Sequence, residues 1–423
     1  MKAGSTTSAG SHDRPLSAPA LLRRVVSLGS GEFLARALSV ANVVLLGHLY
    51  GVVALGVYSL AASMSQYLAP LIDFGLRHVG ARLIARFPRS ASEIVQRVQR
   101  RRLLMAAAVL PFILLYAALA RLPFPMKVFL FVFTAFGALY VFSLEWAAWG
   151  REHLLLVGLA KAIVPACLLL GVLTSLAVGH LFVWLAVANL VGFVVQGFVF
   201  WNWWRRHRSE IGAQEKGVAE IAHALQWRST SIMGLAWLGN MAFNTSDMLV
   251  LGVFSNPHQV GLYSAAYRIL NQVLVTYYLL TNVLYPQLAR LDVAERRRML
   301  RLRIFLLLFV SGAALALFVG LVRRPALSIV FGRDFAAAAP LLLLLACCIP
   351  LDFLTSYLSN AYLAWNMERR VLVCAAVAAG SNIALNLASI PRYGAMAAAV
   401  NTVIAYLVYL VALSLAGRTA WRT

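Results

Sequence analysis

Apolar runs of about twenty residues recur from one end of this chain to the other, and each is long enough to cross ~30 Å of hydrocarbon as an α-helix. Of its 423 residues 61% are hydrophobic and 12% charged, where a soluble domain is about one quarter charged. A membrane β-barrel would need short alternating segments instead. The fold class predicted is an all-α polytopic membrane protein. Twelve spans are predicted at 26–48, 52–74, 103–120, 128–149, 154–176, 181–204, 229–251, 262–285, 304–322, 340–365, 371–390 and 395–417.

The segments between these spans alternate in charge. Of 37 Lys and Arg, 28 fall in the two tails and every second connection. Basic residues collect on the cytoplasmic side, so both termini are expected there. The net charge of +22 is therefore a topology signal directed at anionic membrane lipids, and no nucleic-acid partner is expected. Residues 1–25 read as a disordered tail and 418–423 as a second tail. A secretory signal is not expected, because Glu32 and Arg36 interrupt the first apolar stretch. Segment 205–228 reads as a linker with a short amphipathic helix on the inner surface. The four cysteines lie inside predicted spans and offer neither a disulfide pair nor a metal spacing.

The chain also repeats itself. At an offset of 205, Leu46–Ala61 and Leu251–Ala266 share Leu46/Leu251, Gly47/Gly252, Gly56/Gly261, Tyr58/Tyr263, Ser59/Ser264 and Ala61/Ala266. In each copy one apolar helix ends, a short turn follows, and a new helix is expected to start at the Gly-x-Tyr-Ser-x-Ala stretch. Ala148-Trp149 and Ala364-Trp365 recur similarly at the ends of spans four and ten. The chain is thus predicted to consist of two six-helix lobes, 26–204 and 229–417. An even number of spans per lobe makes the repeats parallel, related by an axis along the membrane normal, an arrangement characteristic of transporters.

No outer connection could hold a catalytic domain; the longest, 323–339, is partly apolar. No phosphate-cradling Gly-rich loop, metal-spaced histidines or Gly-x-Ser-x-Gly occurs. No catalytic residue, metal site or resident cofactor is expected.

Ionisable groups within a bilayer need a partner or a wet cavity. Glu32 and Arg36, four apart, share a face and can pair. Lys161 can snorkel to the inner surface or face a cavity. Arg268 has Asn271 and Gln272 beside it. Asn240, Asn244 and Asp247 share one face of span seven, Asn382 and Asn386 one face of span eleven, and Asn401 and Thr402 begin span twelve. Asp352, Ser356 and Asn360 form a stripe on span ten. These polar faces can be interhelical contacts or line a hydrophilic cavity with an ion site. Asp73, at a span end, reads as interfacial.

Gly56-Val57-Tyr58-Ser59-Leu60-Ala61 with Pro70-Leu71-Ile72-Asp73-Phe74-Gly75-Leu76 resembles the first half of the polysaccharide-repeat-unit flippases of the multidrug/oligosaccharidyl-lipid/polysaccharide exporter superfamily. Ser246-Asp247, Leu251-Gly252, Gly261-Leu262-Tyr263 and Ile390-Pro391-Arg392-Tyr393-Gly394-Ala395 extend the likeness over residues 26–417. The resemblance implies two lobes around a central cavity in a bacterial inner membrane. It implies alternating-access transfer of an undecaprenyl-pyrophosphate-linked oligosaccharide, with a polysaccharide polymerase and a chain-length regulator as partners. Lipid II flippases are similar relatives. By that likeness Arg36 and Arg268 are cavity arginines, with Glu32, Lys161, Asn271 and Gln272 beside the substrate. Asp247, Asn382, Asn386 and Thr402 match a sodium site, joined here by Asn244 and Asp352. Asn386 stands where those relatives carry a carboxylate, and Asn42 where they carry another arginine. Sodium or proton coupling is the expectation.

Two other readings stay open: a multidrug antiporter of the same superfamily, which should have an acidic cavity, and a membrane polysaccharide polymerase or ligase, which should have a large outer loop.

Overall fold

The computed structural model describes residues 18–208, 225, 227–289, 302–365 and 367–420. Most of the expected linker, the outermost tail residues and Asn366 lie outside the described residues. No strand occurs among the described residues. The α-helices among the described residues are α1 (Ala18–Asp73), α2 (Leu76–Arg86), α3 (Ala91–Leu119), α4 (Phe124–Gly137), α5 (Glu145–Gly150), α6 (Leu154–Lys161), α7 (Ile163–Val178), α8 (Leu181–His207), α9 (Trp227–Phe254), α10 (Pro257–Ala289), α11 (Leu302–Phe331), α12 (Ala339–Ala346), α13 (Cys348–Ala364) and α14 (Glu368–Ala420). Part of the expected N-terminal tail is thus helical, because α1 already begins at Ala18.

Among the described residues eight segments are long and apolar enough to cross a membrane. Two of them double back. The 56 residues of α1 would run about 84 Å if straight, far more than a bilayer needs. The helix breaks at Gly51 (φ 73°), a conformation that a Cβ disfavours. The 53 residues of α14 break likewise at Gly394 (φ 57°). Counting each broken helix twice and adding α9 and α10, the described residues cross twelve times. Ala18 and Ala420 then lie toward one face, called here the terminal face. The surface is apolar where lipid would lie: Phe112, Leu119, Leu321 and Ile329 are all at least two-thirds exposed.

Lipid is as apolar as the side chains it would replace, so helices in a bilayer associate through close packing of small residues. Gly31 on α1 lies against the backbone of Gly158 on α6, and Gly56 on α1 against Pro257 on α10. The first contact ties α1 to its own lobe; the second joins the lobes. Gly56 and Gly261 sit inside their helices, which start earlier, at 52 and at Pro257. The turns therefore precede the repeated Gly-x-Tyr-Ser stretch.

Candidate functional site

Between the lobes, α1, α9 and α10 line a cavity of about 120 Å³. Its wall is polar: Ser59, Ser63 and Gln66 from one lobe, Asn244, Asp247, Arg268 and Asn271 from the other. The lobes touch on both sides of it. Toward the terminal face, Tyr67 donates its hydroxyl to Met241 O at 3.1 Å. Toward the opposite face, His48 Nε2 lies 3.0 Å from Ile329 O.

Arg268 is the cavity's cation. Its Nη2 donates to Ser59 Oγ of the other lobe at 3.4 Å. Among the described residues no carboxylate lies within ion-pair distance of it. A guanidinium carries five donors and stays charged, so most of its binding capacity is left for a guest.

Asp247 is the cavity's carboxylate, and it is consumed from within. It is 1% exposed. Tyr263 Oη donates to Oδ2 at 2.6 Å and Thr402 Oγ1 at 2.9 Å. Asn382 Nδ2 donates to Oδ1 at 3.0 Å, and Asn386 Nδ2 reaches the same oxygen. Asn401 Nδ2 holds Asn386 Oδ1 at 2.8 Å. The four residues expected to converge do so, because α14 doubles back at Gly394 and lays both its limbs against α9. Their oxygens form the hard donor set that a small cation takes, once the asparagine amides turn their oxygens inward.

The repeat throws this nest into relief. Asn42 lies 205 residues before Asp247 and is equally buried. Its Nδ2 donates to Pro165 O at 2.7 Å, and its Oδ1 has no hydrogen-bond partner. Only the second lobe carries the charge.

Other expected residues lie elsewhere. Arg36 is not among the residues lining the cavity. Its side chain is 58% exposed and pairs with Glu32 at 3.3 Å. Six residues along a helix turn it about 120° away from Asn42, so the two cannot share a face. Lys161 is also outside the cavity, 3.9 Å from each of Glu32 and Glu145. Asn271 lines the cavity and Gln272 does not. Asp352 stands apart from the Asp247 nest, where it accepts from Ser356 Oγ at 3.4 Å.

Asp73 is not interfacial: it is wholly buried and ion-paired with buried Arg102. It also accepts the Arg77 backbone N–H at 2.9 Å. Sequence reading missed Arg102 and Arg77, which sit in a stretch that reads as a basic connection, and Glu145, which lies inside predicted span 128–149.

Comparison with solved structures gives the same architecture. The chain is similar to the lipid II flippase MurJ in an inward closed conformation, at 14% identity and TM-score 0.65, over 92% of this chain and 87% of that one. It is similar to an inward-facing MATE-family multidrug resistance transporter of the MOP superfamily, at 15% identity and TM-score 0.69, over 94% and 98%. A third is a MOP superfamily transporter from Pyrococcus furiosus described as having a binding pocket of reversed polarity, at 15% identity and TM-score 0.56, over 96% and 98%. At these identities the likeness shows the fold. No match was found among curated proteins. A family profile described as polysaccharide biosynthesis protein matches residues 21–292, and the chain belongs to that family.

Proposed function

We propose that this protein is a flippase for an undecaprenyl-pyrophosphate-linked oligosaccharide, carrying it from the inner to the outer leaflet of a bacterial inner membrane. The terminal face is then cytoplasmic, and a polysaccharide polymerase acts on the delivered product. Supporting this reading is the match to a polysaccharide biosynthesis family together with the charge balance of the cavity. The observation that carries it is Arg268, a cation in a membrane-embedded wall with no described carboxylate partner. A diphosphate brings negative oxygens that match the guanidinium fork. A multidrug antiporter for organic cations would need the reverse, an open carboxylate. Asp247 is the cavity's carboxylate, and four donors already occupy it.

Asp247, Asn382, Asn386 and Thr402 supply the coupling site in this reading. A sodium ion or proton exchanged there would favour one arrangement of the second lobe. The test is translocation of a fluorescent undecaprenyl-pyrophosphate-linked oligosaccharide in reconstituted vesicles. Wild type is expected to move it, and Arg268→Ala to lose at least tenfold in rate while remaining folded. Equal rates for the two would overturn the assignment. Export of organic cations without lipid movement would favour the antiporter.

A further inference from the structure

On the terminal face the two lobes are joined by a cation. Arg77, at the start of α2 in the first lobe, lies over the Trp237 ring of the second lobe, 5.4 Å from its centroid. Trp149 flanks it at 6.0 Å. His78 also meets Trp237, edge to face at 6.3 Å. Beside them Gly234 leaves room for the backbone of Phe74. This contact joins the lobes on the terminal side of the cavity.

Arg77 also ends a chain of alternating charge. Its guanidinium is 3.5 Å from Glu145 and donates to Tyr140 Oη at 3.2 Å. Glu145 is 3.9 Å from Lys161, Lys161 is 3.9 Å from Glu32, and Glu32 is 3.3 Å from Arg36. Arg102 and Asp73 pair beneath it. Four cations therefore meet three carboxylates. The Nε of Arg77 is buried without a hydrogen-bond partner. Lys161 is held beyond hydrogen-bond distance of both carboxylates, and Arg36 is largely exposed.

We infer that Arg77, Glu145, Lys161 and Trp237 form an anion-operated latch: a phosphate-bearing lipid headgroup at Lys161 and Arg36 favours closure of the lobes on the terminal side. The sign follows from electrostatics. Closing places Arg77 against Trp237 and strips it of water. Burying a cation that gives its network an excess positive charge is unfavourable. An anion at Lys161 and Arg36 removes that excess and lowers the cost of burial. By reciprocity, the closed arrangement then holds the anion more tightly. Closure behind a loaded headgroup is what alternating access requires, and the inference rests on the flippase reading in that respect.

The test uses the full chain in vesicles, with the native cysteines replaced and spin labels at Ala85 on α2 and Leu235 on α9, both exposed. Pulsed electron paramagnetic resonance reads the closed and open distances. Undecaprenyl pyrophosphate in phosphatidylcholine vesicles is expected to raise the closed-to-open ratio about tenfold, within the usual range for coupled sites. Phosphatidylglycerol vesicles without it form the second arm. A response there identifies bilayer lipid as the source, a response only to the diphosphate identifies the carried lipid, and a response to neither overturns the latch. Lys161→Gln should raise the closed fraction before any anion is added and blunt the response. Arg77→Gln and Trp237→Leu should make the ratio indifferent to anion. A Lys161→Gln protein that opens, or an undiminished response in Arg77→Gln, would also overturn it. Wild-type flipping in the same vesicles with no anion-dependent distance change would sink the latch and leave the proposed function standing.

Discussion

Gly56 and Gly261, 205 residues apart in the sequence, face one another where α1 and α10 cross between the lobes. A Cβ on Gly56 would run into the carbonyl oxygen of Pro257, and one on Gly261 into that of Val52. Val52 and Pro257 are also 205 residues apart. The contact is self-complementary, as an interface around a two-fold axis must be. The duplicated stretch is therefore the seam of the molecule.

Alanine at either glycine should wedge the lobes apart. The obstacle is backbone, which cannot rotate away as a side chain can. Overpacking of this kind costs about 1–3 kcal/mol. Gly56→Ala and Gly261→Ala should each lower the melting temperature in detergent and slow transport. Gly197→Ala, where a Cβ meets open space, should not lower it. Equal melting temperatures for all three would show that the crossing is looser than described.

The nest around Asp247 makes a second prediction. Asp247→Asn leaves four donors facing one acceptor oxygen and an added donor. A buried polar group left unsatisfied costs about 1–3 kcal/mol, so thermal stability should fall by about that much. Tyr263→Phe and Thr402→Val each remove one donor and should cost less. If the nest couples transport to sodium, wild-type rates will depend on the sodium gradient and Asp247→Asn rates will not. Sodium-independent transport by both would leave the nest a structural role.

The buried pair of Asp73 and Arg102 is expected to be the most fragile single feature of the first lobe. Removing one partner strands the other charge, at about 3–5 kcal/mol. Arg102→Met should reduce the yield of monodisperse protein sharply. Asp73→Leu combined with Arg102→Met should recover part of it. A double variant no better than the single would mean that Arg102 is held mainly by its other contacts, Ser143 O and the faces of Tyr140 and Trp146.

The contrast between these two sites shows what a sequence of this kind makes legible. Helical spacing put Asp247, Asn382, Asn386 and Thr402 on polar faces within apolar spans, and the likeness to the lipid II flippases gathered the four into one site. A polar residue inside such a run stands out. Arg102 closes the run Arg97–Arg102, where positive charge is the ordinary mark of a cytoplasmic connection. Only the helical phase of α3 separates Arg102, turned inward, from exposed Arg100. That phase is set by tertiary contacts with Ser143 and Asp73. The twelve crossings were legible because apolar length is local. Arg36 was assigned to the cavity by likeness, and it lies on the limb of α1 before Gly51, whereas the cavity is lined from the limb after it.

The last prediction concerns the driving force. A lipid diphosphate carries about two negative charges, taking the second phosphate pKa near 6 as a guide. With the terminal face cytoplasmic, outward transfer of negative charge runs with the membrane potential, at about 2.3 kcal/mol per charge per 100 mV. Arg268 enters this balance twice. It lowers the cost of bringing the diphosphate to mid-membrane, and it stays with the protein, so its charge does not travel with the cargo. The transported charge is then the cargo's own, plus that of any cation entering in exchange at Asp247. Imposing a negative-inside potential with potassium and valinomycin should therefore accelerate wild-type flipping. Arg268→Lys should slow it and preserve the voltage dependence, since the charge is kept and the bidentate fork lost. Arg268→Ala should be slow at every potential. Wild-type rates that ignore the potential, with sodium and proton gradients clamped, would mean that the charge crosses compensated. The Asp247 nest would then have to carry cations outward together with the cargo.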